Sequence, residues 1–283
     1  MRPIVVAWLD ARGWPAWVAP DYVIMVGLAS VLLAAIALRL TRDDGGDVRE
    51  AAVALALAYV GALAGGYVFE FVRALPRSIP VALADRSLAP LVSVGRAAYG
   101  GLLGGIAAPA LYLRWRRAPL APFFDRVAIG TGLTFTLVRV GCFLEGCDFG
   151  LPTGSSLGVR FPPDSAAAVD HAARGWVRPG ATSLPVHPTQ LYESAVGLAA
   201  ALAAAWVYRR QSARDGRAFA AFLAVYAAGR FSVEGLRGDV SRGVYGALSS
   251  SQIVSIAMAV AAAVMARRAL LAISPAARPS APR

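Results

Sequence analysis

Seven stretches of this chain are apolar over about the 17 to 25 residues that cross a hydrocarbon layer at 1.5 Å of helix rise per residue, and no other feature narrows the possible folds so far. Four of them, Tyr22 to Leu38, Ala51 to Phe69, Ala97 to Leu113 and Val244 to Ala266, hold no charged residue. Three more, Val127 to Leu144, Pro188 to Tyr208 and Ala218 to Leu236, are interrupted by Arg139, by Glu193, and by Arg230 with Glu234. A composition of 57% hydrophobic and 16% charged residues, with a mean hydropathy of +0.56, exceeds what a soluble core of 283 residues uses. The expected fold is an all-α integral membrane protein, a bundle of seven transmembrane helices.

Residues 1–273 read as a single seven-span membrane domain with an outer polar segment over 148–185, and residues 274–283, rich in Ala, Pro and Arg, as a disordered cytoplasmic tail. Asp10, Arg12 and prolines interrupt the first twenty residues, so the first apolar run is expected to act as its own anchor. Short basic loops set the orientation. Arg39, Arg42 and Arg49 follow the first span, Arg114, Arg116, Arg117 and Arg126 the third, Arg209, Arg210, Arg214 and Arg217 the fifth, and Arg267 and Arg268 the seventh. By the positive-inside rule these loops face the cytoplasm, which puts the N-terminus outside and the C-terminus in the cytoplasm. The net charge of +11 is then a topology and headgroup signal; the basic groups flank spans and form no soluble face for nucleic acid. All 28 basic residues are arginine, which leaves histidine as the one basic side chain able to accept a proton.

With that orientation, five helices carry polar groups at their outer ends: Glu70 and Arg73; Arg96 and Tyr99; Arg139 and Glu145; His187, Gln190 and Glu193; Arg230, Glu234 and Arg237. Glu70, Arg73 and Arg96 suit the interface, where long side chains snorkel. Arg139 and Arg230 differ, because twelve uncharged residues separate each from the basic loop before it, which sets both below the surface. Arg230, Glu234 and Arg237 share one helix face, and Glu234 reads first as a counter-ion. Two guanidiniums that cannot lose their protons suit a phosphate, and in a membrane the abundant phosphate is a lipid headgroup. The alternative is a set of internal Arg–Glu pairs that hold the bundle together.

Four segments carry a resemblance: Tyr99-Gly-Gly-Leu-Leu-Gly104, Arg139-Val-Gly-Cys-Phe-Leu-Glu-Gly146, His187-Pro-Thr-Gln-Leu-Tyr-Glu193, and Gly229-Arg-Phe-Ser-Val-Glu234 through Arg237 and Asp239. In order and spacing they resemble the prolipoprotein diacylglyceryl transferase family, over roughly Tyr22 to Ala266 and with Ser251 to Ile256 in the last span. The resemblance implies a multi-pass transferase of the bacterial inner membrane, its active site toward the outer side. Its substrates would be phosphatidylglycerol and a preprolipoprotein signal peptide bearing a lipobox cysteine. Arg139 and Arg230 would bind the headgroup phosphate and stabilise its developing charge, with Gln190, Glu193 and Glu234 beside the substrate. The attacking thiol belongs to the substrate, so no enzyme nucleophile is needed. We read no cofactor, no resident metal and no nucleic-acid partner.

The chain departs from the family pattern at three places. The glycine-rich motif of the family usually begins with histidine, and here Tyr99 stands there; a neutral tyrosine is a poor base, so the thiol proton falls to His187, to Glu145 or to the lipid phosphate. Cys142 and Glu145 stand where the family commonly has asparagines, and Cys147 where it has an acid. The two cysteines read first as small buried side chains, second as a disulfide that requires Gly146 to end the helix, and third as metal ligands with His187. His187 before Pro188 also suits a helix cap, and His171 is expected to be exposed in the outer segment. The alternative functions are a related phospholipid-headgroup transferase, an inactive homologue, or a transporter using the cavity for an anion. Polar groups gathered at one end, without repeats, favour the enzyme.

Overall fold

The computed structural model describes residues 4–5, 11, 22–87, 98–239 and 243–273, which fall into two compact units, Met1–Ala37 with Phe124–Arg283, and Leu38–Phe123. Asp10, Arg12, Arg96 and the tail 274–283 lie outside the described residues. The elements in chain order are α1 (Tyr22–Asp43), α2 (Val48–Ala84), α3 (Ala98–Trp115), α4 (Leu120–Glu145), α5 (Ala166–Ala173), α6 (Thr189–Arg210), α7 (Arg217–Glu234), β1 (Val244–Tyr245), β2 (Leu248–Ser249) and α8 (Ser250–Ile273). Five of these helices are long and apolar enough to cross a membrane: α1, α2 over Val48–Pro76, α4, α6, and α8 over Ser250–Leu271. The other two expected spans are present as helices of 18 residues, α3 and α7. Four glycines and Arg114 dilute α3; Arg217, Arg230 and Glu234 dilute α7.

In the second unit α2 runs 37 residues, well past the expected end at Phe69, with Pro76 and Pro80 inside it. Asp47 caps its start by accepting from the backbone N–H groups of Arg49 at 2.8 Å and Glu50 at 3.1 Å. Glu50 in turn meets Arg116 at 3.3 Å, and one helical turn past Phe69, Arg73 donates to Glu70. The contact between α2 and α3 is a glycine seam. A Cβ on Gly61 would stand 2.4 Å from the Gly104 carbonyl oxygen, and one on Gly100 would stand 2.2 Å from that of Gly65. Side chains at these positions would separate the helices, so glycine sets the approach.

The first unit is built on small-residue packing. Gly132 of α4 faces Gly197 and Ala201 of α6, and beside them Thr136 and Ser194 exchange hydrogen bonds to each other's carbonyls at 3.3 and 2.9 Å. Ala128, Ala200, Ala204, Phe222, Leu223 and Ala262 form the core shared by α4, α6, α7 and α8. At the far end of this core, buried Asp125 accepts from Gln211 Nε2 at 3.0 Å and from the N–H groups of Gly216 and Phe219 at 2.9 Å each, which secures the first turn of α7. The last apolar stretch begins differently from the sequence expectation. Val244 to Ser249 form a hairpin through Gly246, whose φ of +63° a glycine adopts freely, before α8 starts. Ser249 and Gln252 then cap α8 reciprocally, at 3.2 and 3.0 Å.

The polar segment over residues 148–185 is folded. Phe149, Phe161, Ala167 and Val186 make a small core with Phe143 from α4. Residues 149–151 run between two strands of backbone: Gly150 N–H donates to His187 O at 3.0 Å on one side, and Leu151 N–H to Leu236 O at 2.8 Å on the other. His171 is a correction. It is 0% exposed, its Nδ1 accepts from the Leu184 N–H at 3.1 Å, and its ring packs edge-on to Phe149 and against Trp176. Helix periodicity over eight residues of α5 is too short to reveal which face is covered.

Candidate functional site

Three arginines converge at one end of α4, α6 and α7. Arg139 lies near the end of α4, Glu193 in the second turn of α6, and Arg230, Glu234 and Arg237 at and just beyond the end of α7. Glu193, with its side chain 2% exposed, meets all three guanidiniums: Arg139 Nε at 2.5 Å, Arg237 Nη1 at 3.4 Å and Arg230 Nη1 at 3.5 Å. Arg230 also pairs with Glu234 one turn on and donates to Ser251 Oγ on α8 at 2.7 Å. Arg237 holds Asp239 in a fork at 2.9 and 2.8 Å. Asp148, in the turn after α4, bridges Arg139 at 2.5 Å and Arg237 at 2.6 Å.

Burial works against the ionised Asp148, but Arg237 and Arg139 outweigh it and hold its carboxyl below the usual carboxylate range. Its position comes from the backbone around it. Gly146, at φ +76°, ends α4; Thr189 Oγ1 donates to Asp148 O at 2.8 Å, and fully buried Gln190 donates through Nε2 to Cys147 O at 2.6 Å. A Cβ on Gly150 would meet His187 O at 2.4 Å, so only glycine lets this turn lie so close to the start of α6. The N-terminal polar residues of α6 therefore hold the turn that carries Asp148.

His187 and Glu145, in the same unit, take no part in these ion pairs. His187 reaches Tyr192 Oη through Nδ1 at 3.3 Å, and α6 starts after Pro188 without a side-chain cap, so His187 is not the helix cap. Glu145 is exposed at the last position of α4. Tyr99 sits in the first turn of α3, within the second unit. Sequence reasoning left Asp148 in the outer segment and set Arg237 on one face with Glu234, whereas Arg237 pairs with Asp148, Glu193 and Asp239; the signal was Asp148 directly after the Gly146-Cys147 break. A groove of about 880 Å³ runs along α6, α7 and α8, from Arg210 and Arg217 to Ser232 and Ser255. Arg139 and Arg230 do not line it.

A multi-pass helical membrane protein with an ionic cluster of three arginines and four carboxylates at one end of its helices is the class that this fold and site define. The chain matches the family described as prolipoprotein diacylglyceryl transferase over residues 18–268, and it belongs to that family. It is similar to phosphatidylglycerol–prolipoprotein diacylglyceryl transferase 2 of Clostridium perfringens, at 36% identity over 161 residues, 56% of each chain. It is also similar to the phosphatidylglycerol–prolipoprotein diacylglyceryl transferases of Clostridium tetani, at 33% over 158 residues covering 56% of this chain and 57% of the relative, and of Corynebacterium efficiens, at 32% over 170 residues covering 59% and 51%. The chain spans about half the length of the curated relatives it matches.

Proposed function

We propose that this protein transfers the diacylglyceryl group of phosphatidylglycerol to the cysteine thiol of a preprolipoprotein lipobox, at the outer face of a bacterial inner membrane. On this reading α3 and α7 cross the membrane with the five longer helices, giving seven spans with the N-terminus outside, in accord with the basic loops. The observation that carries the proposal is the state of Arg139. Its Nε and Nη1 are held by Glu193 and Asp148, while no described residue takes up Nη2, and the side chain is 20% exposed. A guanidinium oriented by two carboxylates and still partly exposed is prepared for a phosphate oxygen.

In the reaction the substrate sulfur loses its proton and attacks the glycerol carbon that bears the phosphate. A C–S bond forms, the C–O bond breaks, and glycerol phosphate leaves with the electron pair. Arg139 and Arg230 hold that phosphate as its charge grows. Glu193 and Glu234 orient the guanidiniums, and Gln190 keeps the turn of Asp148 in place. Asp148, at 31% exposure the most open of the four carboxylates, occupies donors of Arg139 and Arg237 that an arriving phosphate takes over. His187 and Glu145 are the candidate proton acceptors on the chain, and the lipid phosphate is the other.

Purified protein incubated with phosphatidylglycerol and a lipobox peptide should yield the thioether-linked diacylglyceryl peptide. No product, under conditions in which a standard family member gives it, would sink this function.

A further inference from the structure

Cys142 and Cys147 lie on either side of the break at Gly146, and both are thiols. Five positions apart on an unbroken helix they would point in different directions. The φ of +76° at Gly146 folds the chain back, so that the Cys147 N–H donates to the Cys142 carbonyl at 3.2 Å. Both sulfurs and an Asp148 carboxylate oxygen then come within 4.8 Å of one another. Cys147 Sγ is 3.7 Å from the Cys142 carbonyl oxygen, and Cys142 Sγ is 3.8 Å from Arg139 Nη1. Cys142 is buried and Cys147 half-buried.

We propose that Cys142 and Cys147 are a modification site, a dithiol that closes reversibly to an intramolecular disulfide by exchange with an external disulfide. The inference does not depend on the transfer reaction. Cys147, the accessible partner, loses its proton and attacks the external disulfide; a mixed disulfide forms and one external thiolate leaves with that proton. Cys142 then loses its proton and attacks the Cys147 sulfur, displacing the second external thiolate. Two protein thiols are oxidised and one external disulfide is reduced to two thiols. A hydrogen bond from Cys142 lowers the Cys147 thiol from the ordinary cysteine range, which suits Cys147 to the first attack. A soft metal ion is the competing occupant of two thiols and a carboxylate. Arg139 argues against it, since Nη1 already stands against both Cys142 and Asp148. The closed disulfide would pin the turn whose next residue is Asp148.

Purified full-length protein in detergent, treated with oxidised glutathione, should lose two hydrogens by intact mass and take up no maleimide until a reductant is added, after which it takes up two. Cys142→Ser should instead retain one glutathione, bound through Cys147, while Cys147→Ser should take up glutathione far more slowly because Cys142 is buried. The oxidised wild-type chain should also unfold at a higher temperature than the reduced chain. Both thiols remaining open to maleimide after oxidation, disulfide-linked dimers as the product, or two glutathiones stably attached to one chain would each overturn the proposal. So would zinc retained one-to-one by the reduced protein, if a chelator had to strip it before oxidation could proceed.

Discussion

Arg139 on α4 and Glu193 on α6 meet through Nε and Oε2 at 2.5 Å, and the same carboxylate lies within 3.5 Å of Arg237 and Arg230. One buried acid is thus the shared counter-ion of three cations brought in by two other helical segments. Removing one partner of a buried pair costs about 3–5 kcal/mol, because the charge left behind is uncompensated. Glu193→Ala should lower the thermal midpoint in detergent well beyond Glu193→Gln, which keeps one acceptor. Equal midpoints for wild type and Glu193→Ala would contradict the role of Glu193 as common anchor.

Arg139→Ala and Arg230→Ala should each reduce transfer by at least about 10²-fold, the loss expected when a donor to developing charge is removed. Membrane insertion should persist. Fractionation together with thioether product analysis checks both parts, and full activity in either variant refutes the phosphate role.

Asp148→Asn should lower the KM for phosphatidylglycerol while lowering thermal stability, since the carboxylate competes with phosphate for Arg139 and Arg237 yet also ties them together. A raised KM with unchanged stability would mean that Asp148 assists lipid binding.

Two titratable groups outside the spans, His171 and Asp148, respond to pH in separate windows. Burial lowers the His171 pKa, so the folded chain prefers the neutral ring. Its stabilising preference is complete above the ordinary histidine value of about 6.5 and is lost as pH falls from there through the lowered folded value. Asp148, also lowered, contributes fully above the ordinary carboxylate value of about 3.9 and loses its contribution only below it. Thermal midpoints from pH 7.5 to 5, about the histidine range, should fall for wild type and stay flatter for His171→Gln. A parallel fall in both would exclude His171 as the source.

Asp125→Ala should destabilise more than Asp125→Asn. Alanine leaves the N–H groups of Gly216 and Phe219 without their acceptor, and each buried orphan costs about 1–3 kcal/mol. Thermal unfolding of the two variants beside wild type measures the difference.

The helices were legible where the chain is most uniform. Tyr22 to Leu38 has no charge and forms α1 from its first residue, and Arg139 and Arg230 stand out because each ends a long uncharged run. Glycine seams and chain reversals were harder to read. The continuation of α2 past Phe69 and the hairpin before α8 depend on local capping and turns that apolarity does not encode. The burial of His171 arises from a fold-back within its own segment, onto Leu184, and the bridging place of Asp148 from a contact with Arg237, 89 residues further on. Local pattern carries no record of such partners.

The seam of Gly61, Gly65, Gly100 and Gly104 puts main chain directly against main chain. No rotamer is frozen when α2 and α3 close on each other, so their association loses no side-chain entropy at these four positions. Specificity then resides in peptide groups that every sequence shares, and what the sequence must supply is the absence of a β-carbon. These four positions tolerate no substitution by a larger residue.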